Sequence, residues 1–244
     1  MIIILLAMKK EGTDTVEVVE QAALIPVGNK GTTSGVLTRP AGEQKRTAVI
    51  VAHGAGNNMN TPLLRVFSLT LAASGYPVLC FNFLYAERGR KTPDREEVLT
   101  ETWEAATRFA KTELGKKVDC WVAAGKSMGG RVASQMVAEN ILPVDRLIFL
   151  GYPLHTPGNK EKLRDAHLYQ ITVPMLFFAG TRDSLCDLDK LKGVLERFTT
   201  PVGLSVVEGG DHSFHVPKSF GMTEEEIFRR ISEIATDWIS RVVI

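Results

Sequence analysis

At 244 residues the chain suits one large domain or two small ones, and one α/β domain of that size buries most of its apolar surface without a disulfide or metal staple. Hydrophobic residues make up 44% and charged residues 23%, and 29 Lys and Arg nearly balance 28 Asp and Glu, which leaves no general field to attract nucleic acid or an anionic membrane. Cys80, Cys120 and Cys186 are an odd number, two of them inside apolar runs, and fit buried free thiols in a reducing compartment rather than a disulfide framework.

The apolar start at residues 1–10 is too short to span a bilayer, with no basic side chain before it and no small-residue cleavage site after it. It is expected to be a disordered tail, an edge strand, or a segment upstream of a native start at Met8, and the protein is expected to be cytoplasmic. Residues 16–40 alternate weakly around the turn signal Gly28-Asn29-Lys30-Gly31, which predicts an antiparallel hairpin. Residues 47–52 form a continuous apolar run of the kind found in strands covered on both faces. Thr61-Pro62 predicts a helix opened by a cap and a first-turn proline, and Thr92-Pro93-Asp94 predicts the start of another. Further strands are expected at residues 77–83, 118–124, 146–151, 173–179 and 202–207, with helices at 132–138 and 188–198. Residues 152–172 break the alternation with Pro153, Pro157 and Gly158 and then a charged helix-like piece, and are expected to form a short lid. Thr223 with Glu226 is a capping box ahead of one apolar face carrying Ile227, Phe228, Ile231, Ile234, Ala235, Trp238, Ile239 and Val242. The whole chain, 1–244, therefore reads as a single α/β domain with a mainly parallel sheet, helices on both faces and an N-terminal antiparallel hairpin.

Chemistry concentrates at Gly125-Lys126-Ser127-Met128-Gly129, between a predicted strand and a predicted helix. That context turns G-x-S-x-G into a nucleophile elbow, a turn so tight that the serine takes a positive φ and side chains at the flanking glycines collide with the neighbouring chain. A serine hydroxyl needs a base, and the base needs a carboxylate to orient it. In chain order after Ser127, Asp183 follows one late strand and His212 follows the last, so all three fall at the same sheet edge. Asp187, Asp189 and His215 are the competing positions. Two backbone N–H groups are needed where an oxyanion develops: Met128 follows the nucleophile, and the turn His53-Gly54-Ala55-Gly56 offers Ala55 first and Gly56 second. His53 reads as a hydrogen-bonding residue below the site. Gly56, Tyr85, Tyr152, His155 and Phe214 are the candidate substrate contacts.

These residues resemble the α/β-hydrolase superfamily, and within it the dienelactone-hydrolase-like branch related to a testis-expressed hydrolase-like protein and to the hydrolase domain of an NSL chromatin-complex subunit. The resemblance rests on six blocks in order: H-G-A-G at 53–56, F-N-F-L-Y-A-E-R-G-R-K-T-P-D at 81–94, G-K-S-M-G-G-R at 125–131, L-G-Y-P-L-H-T-P-G at 150–158, G-T-R-D at 180–183 and G-G-D-H-S-F at 209–214. It implies an α/β-hydrolase fold with Ser127 as nucleophile, Asp183 as acid and His212 as base. Dienelactone hydrolases themselves carry cysteine where this chain has Ser127, so their substrate is not carried over.

The expected activity is that of a serine hydrolase, carboxylesterase-like, acting on a small or medium acyl substrate through an acyl-enzyme. Thioesterase or peptidase chemistry with the same triad, or an interaction module that has lost turnover, are the alternatives. No metal or organic cofactor is called for, and neither nucleic acid nor membrane is an expected partner. Monomer and homodimer are equally compatible with the sequence.

Overall fold

The computed structural model describes residues 3–9 and 15–241, so Met1, Ile2 and Lys10 of the predicted tail and Val242 of the last helix lie outside the described residues. Two compact units divide the chain, the first running to Val122 and the second beginning at Ala123.

In the first unit β1 (Ile3–Lys9), β2 (Thr15–Val27) and β3 (Gly31–Pro40) pair antiparallel in sequence. The turn between β2 and β3 works because Gly28 supplies φ 50 and the Lys30 amide donates to the Val27 carbonyl at 2.9 Å. β3 pairs antiparallel with β5 (Val78–Phe81), which pairs parallel with β4 (Thr47–Ala52), giving the order β1-β2-β3-β5-β4. β3 alternates buried and half-buried positions, whereas β4 is buried from Ala48 onward, as its unbroken apolar sequence requires.

Helix α1 (Pro62–Ala73) opens with proline at its first turn and buries Leu63, Leu64, Phe67, Leu71 and Ala72 on one side; Thr61 stands at the cap position without a side-chain hydrogen bond. A single turn, α2 (Leu84–Glu87), precedes α3 (Glu96–Leu114). The latter starts at Glu96, later than the expected Thr92–Asp94, with Arg95 at the cap position and Asp94 paired with the guanidinium of Arg90.

β6 (Cys120–Lys126) carries the chain from the first unit into the second, where α4 (Met128–Ala138), β7 (Arg146–Leu150), β8 (Met175–Gly180), α5 (Leu188–Leu195), β9 (Val202–Val207) and α6 (Glu224–Arg241) follow. The order is β6-β7-β8-β9, with β7 parallel to β8 and β8 parallel to β9. Residues 152–172 hold only a five-residue 3-10 turn, Ala166–Gln170, and the charged piece before it is not helical. Its lysine and glutamate are used across the loop instead, Lys160 on Asp187 and Glu161 on Lys190. α6 opens with the predicted box: the Thr223 amide donates to Glu226 Oε2 at 2.7 Å, and the Glu226 amide donates to Thr223 Oγ1 at 3.2 Å.

The fold is thus α/β, antiparallel strands first and parallel pairs after, joined by helices except at the loop between β7 and β8, as the pattern of apolar runs implies. All three cysteines are buried free thiols. Among the described residues no helix is long and apolar enough to cross a membrane, and no group of His, Cys, Asp and Glu could hold a metal ion.

Candidate active site

The junction of β6 and α4 lies in the second unit. Ser127 sits there at φ 50 and ψ −114, outside the conformations that side-chain-bearing residues adopt freely. Two contacts hold it: its amide donates to the Leu150 carbonyl at 3.3 Å, and its carbonyl accepts from Arg131 at 3.0 Å. Gly125 and Gly130 have no room for a side chain. A Cβ on Gly125 would lie 2.2 Å from the Gly130 amide nitrogen, and one on Gly130 would lie 2.8 Å from the Gly125 carbonyl oxygen. Strand and helix therefore meet backbone to backbone.

Asp183 and His212 arrive from the loops after β8 and β9, and the same device brings them together. A Cβ on Gly180 would lie 2.1 Å from the Gly210 carbonyl oxygen, so the loops approach as closely as backbone allows. The Arg182 amide donates to that carbonyl at 2.8 Å, and the Gly209 amide to Thr181 Oγ1 at 2.8 Å. The His212 loop is wound tightly on Asp211, whose Oδ1 accepts the amides of Ser213 at 2.7 Å and His215 at 2.9 Å. Burial opposes the ionised form of Asp211, but these amides outweigh it and its carboxyl is held below the usual range.

The three candidate side chains form one relay. His212 Nε2 lies 2.8 Å from Ser127 Oγ, and His212 Nδ1 lies 2.8 and 3.0 Å from the two oxygens of Asp183. Asp183 Oδ1 also accepts the Leu185 amide at 2.8 Å, which fixes the carboxylate. Its side chain is fully enclosed while that of His212 is 19% exposed, so the acid is dry and the imidazole edge reachable. In this arrangement Nδ1–H donates to Asp183 and Nε2 accepts from the serine hydroxyl. The competing positions are occupied elsewhere. Asp187 caps α5 through the Lys190 amide and pairs with Lys160, Asp189 pairs with Lys192, and His215 lies between Asp211 and Glu224.

Met128 is the first residue of α4, where helix amides lack intrahelical partners and the dipole is positive. In the first unit, Ala55 and Gly56 form an exposed turn, with Gly56 at φ 73. Beneath it the Gly54 carbonyl accepts from His53 Nδ1 at 2.8 Å and from the Tyr85 hydroxyl at 3.1 Å. His53 Nε2 accepts the Phe83 amide at 3.0 Å, so both ring nitrogens are committed. Burial pulls this imidazole down from 6.5 to about 4, partly offset by its bond to Gly54.

Four of the expected substrate contacts are packed against neighbouring groups. Tyr85 is fully buried and supports the Gly54 turn. Tyr152 is packed among Phe149 and Phe177, and its hydroxyl donates to the Arg164 carbonyl at 2.7 Å. His155 is buried, with Nδ1–H on the Thr156 carbonyl and Nε2 accepting the Asp187 amide at 2.9 Å. Phe214 is buried at φ 67. All four side chains are buried. A broad depression of about 930 Å³ in the first unit is lined by residues 40–46 and 73–75 and contains none of the candidates.

One residue inside the elbow was given no role by the motif: Lys126. Its position is the available signal, since a lysine closes a strand whose other six residues are buried.

A strand, a tight turn bearing serine and a helix, with imidazole and carboxylate delivered from the two following strand ends, is the constellation of an α/β hydrolase. Residues 45–240 match the family model described as an alpha/beta hydrolase domain, and the chain belongs to that family. Among solved structures it is similar to an alpha-beta serine hydrolase homologue from Coxiella burnetii at 22% identity, with TM-score 0.71 over 90% of this chain and 97% of that one. A dienelactone hydrolase from Anabaena variabilis is similar at 20% identity and TM-score 0.69, over 92% and 98%. A Xanthomonas campestris protein described as an α/β serine hydrolase without a lid gives 16% identity and TM-score 0.69, over 92% and 97%.

Proposed function

We propose that the protein is a cytoplasmic serine hydrolase that cleaves a small or medium carboxylic ester through an acyl-enzyme. The observation that carries this reading is the unbroken relay Ser127–His212–Asp183, with 2.8 Å contacts on both sides of the imidazole. Ser127 Oγ attacks the acyl carbonyl as His212 Nε2 takes its proton, and Asp183 stabilises the resulting imidazolium. The amides of Met128 and Ala55, with Gly56 as the alternative second donor, stabilise the oxyanion. Collapse expels the alcohol, protonated by His212, and leaves the acyl group on Ser127. Water, deprotonated by His212, then attacks the ester carbonyl and releases the acid. The preference for small acyl groups is supported by the sparse cover at residues 152–172 and by the likeness to a hydrolase described as lacking a lid. Several other neighbours of this fold are described as esterases.

A fluorophosphonate probe tests the reading. The folded native chain is expected to label and Ser127→Ala is not, with kcat for short aryl esters falling by roughly three orders of magnitude or more in the variant. A native chain that is folded by circular dichroism and fails to label overturns the proposal in favour of an interaction module. A preference for long acyl chains overturns the size argument alone.

A further inference from the structure

The side chain of Lys126 is out of place for a strand end. Its ammonium nitrogen is cut off from solvent and makes no hydrogen bond to any described group. It lies 5.8 Å from the centre of the buried Phe214 ring, itself held at positive φ. It also approaches the spot a Cβ on Gly151 would occupy, to 3.1 Å, a spot 3.1 Å from the His212 carbonyl oxygen and 3.6 Å from His212 Cε1. The ammonium is therefore housed beside the His212 ring, and Gly151, at φ 74, leaves the room for it.

The surrounding charges come from two loops. After β8 stands Asp183, already committed to His212 and Leu185, with the Cys186 thiol nearby and Arg182 turned to the Gly209 carbonyl. After β9 stand Asp211, committed to the amides of Ser213 and His215, then His212 itself, and His215 paired with Glu224. The loop after β7 contributes only uncharged Gly151, and α4 contributes Ser127. Asp183 and Asp211 both attract the ammonium without bonding to it. Enclosing an ammonium with no hydrogen bond is costly, so a leucine or methionine here would pack at less expense.

We propose that Lys126 is a positioning residue for the hydrolytic relay: its enclosed positive charge opposes protonation of His212 and so keeps the imidazole competent as a base to lower pH. The proposal rests on reading Ser127, His212 and Asp183 as that relay. A like charge beside an imidazole disfavours the imidazolium, while the two carboxylates favour it, and Lys126 offsets part of their effect. Burial also draws Lys126 down from 10.5 to about 8, against the pull of Asp183 and Asp211, so its charge is present through neutral pH and is lost above that value.

The test is the pH profile of kcat/KM for a short aryl ester. Lys126→Met and Lys126→Gln are expected to move the acid-side midpoint up by about one unit, and Lys126→Arg to leave it near the native position. Neutral variants that lose rate without moving the midpoint overturn the proposal and leave Lys126 a packing residue. A readout on the native protein needs neither a variant nor turnover: the His212 ring resonances, followed from about pH 5 to about pH 10, are expected to show a second, smaller inflection as Lys126 loses its proton. A ring that registers no such event also overturns the inference. A native chain that fails to label with fluorophosphonate yet shows the second inflection instead sinks the hydrolase reading alone.

Discussion

Ser127 occupies a backbone conformation at φ 50 that glycine adopts without penalty and serine does not. Such strain is typically about 1–3 kcal/mol and persists where the surroundings over-determine it. Ser127→Gly is therefore expected to raise the stability to urea by about 1 kcal/mol while abolishing fluorophosphonate labelling. A glycine variant less stable than the native chain would mean the elbow is not strained. The triad candidates were legible because their chemistry is tied to chain order and to strand ends. The choice of His212 over His215 was less so, since both lie in one short loop and only the winding on Asp211 separates them. Whether Tyr85 or Phe214 faces outward depends on how each loop closes on itself, which no local sequence pattern carries.

At the scale of elements, two glycine pairs set the site: Gly125 against Gly130 and Gly180 against Gly210. Gly180→Ala places a methyl group 2.1 Å from the Gly210 carbonyl oxygen, so the β8 and β9 loops must part. Overpacking of this kind costs about 1–3 kcal/mol, and on the proposed mechanism displacing His212 by even about 1 Å is expected to lower kcat on the order of 100-fold. Urea denaturation and ester turnover measure the two effects together. Thr223→Ala makes the contrasting case: losing the capping box is expected to cost about 1 kcal/mol with no change in labelling rate. The long apolar runs and the capping box made β4, β9 and α6 readable to within a residue or two. The start of α3 and the piece near Lys160 were not: a local ion pair holds Asp94 on Arg90 ahead of the helix, and a long-range one ties Lys160 to Asp187.

For the whole molecule, the histidines dictate how stability responds to acid. Burial lowers His53 from 6.5 to about 4, and burial with the charge of Arg131 lowers His167 likewise, each in a different unit. Because these folded values lie below the unfolded one, the unfolded chain takes up the protons first. Stability is full above about 6.5 and declines as pH falls toward about 4, with His53 alone accounting for about 3 kcal/mol. Thermal melts across that window are expected to fall steadily, and a flat profile would contradict the neutral state of these rings. The same commitments bear on covalent probing. Of five imidazoles, His53 and His155 have no exposed surface and both nitrogens engaged, whereas His215 is open to solvent. Diethyl pyrocarbonate should accordingly spare those two rings in the native protein and carbethoxylate them on denaturation, so the number of modified rings reports the integrity of the loops they tie down.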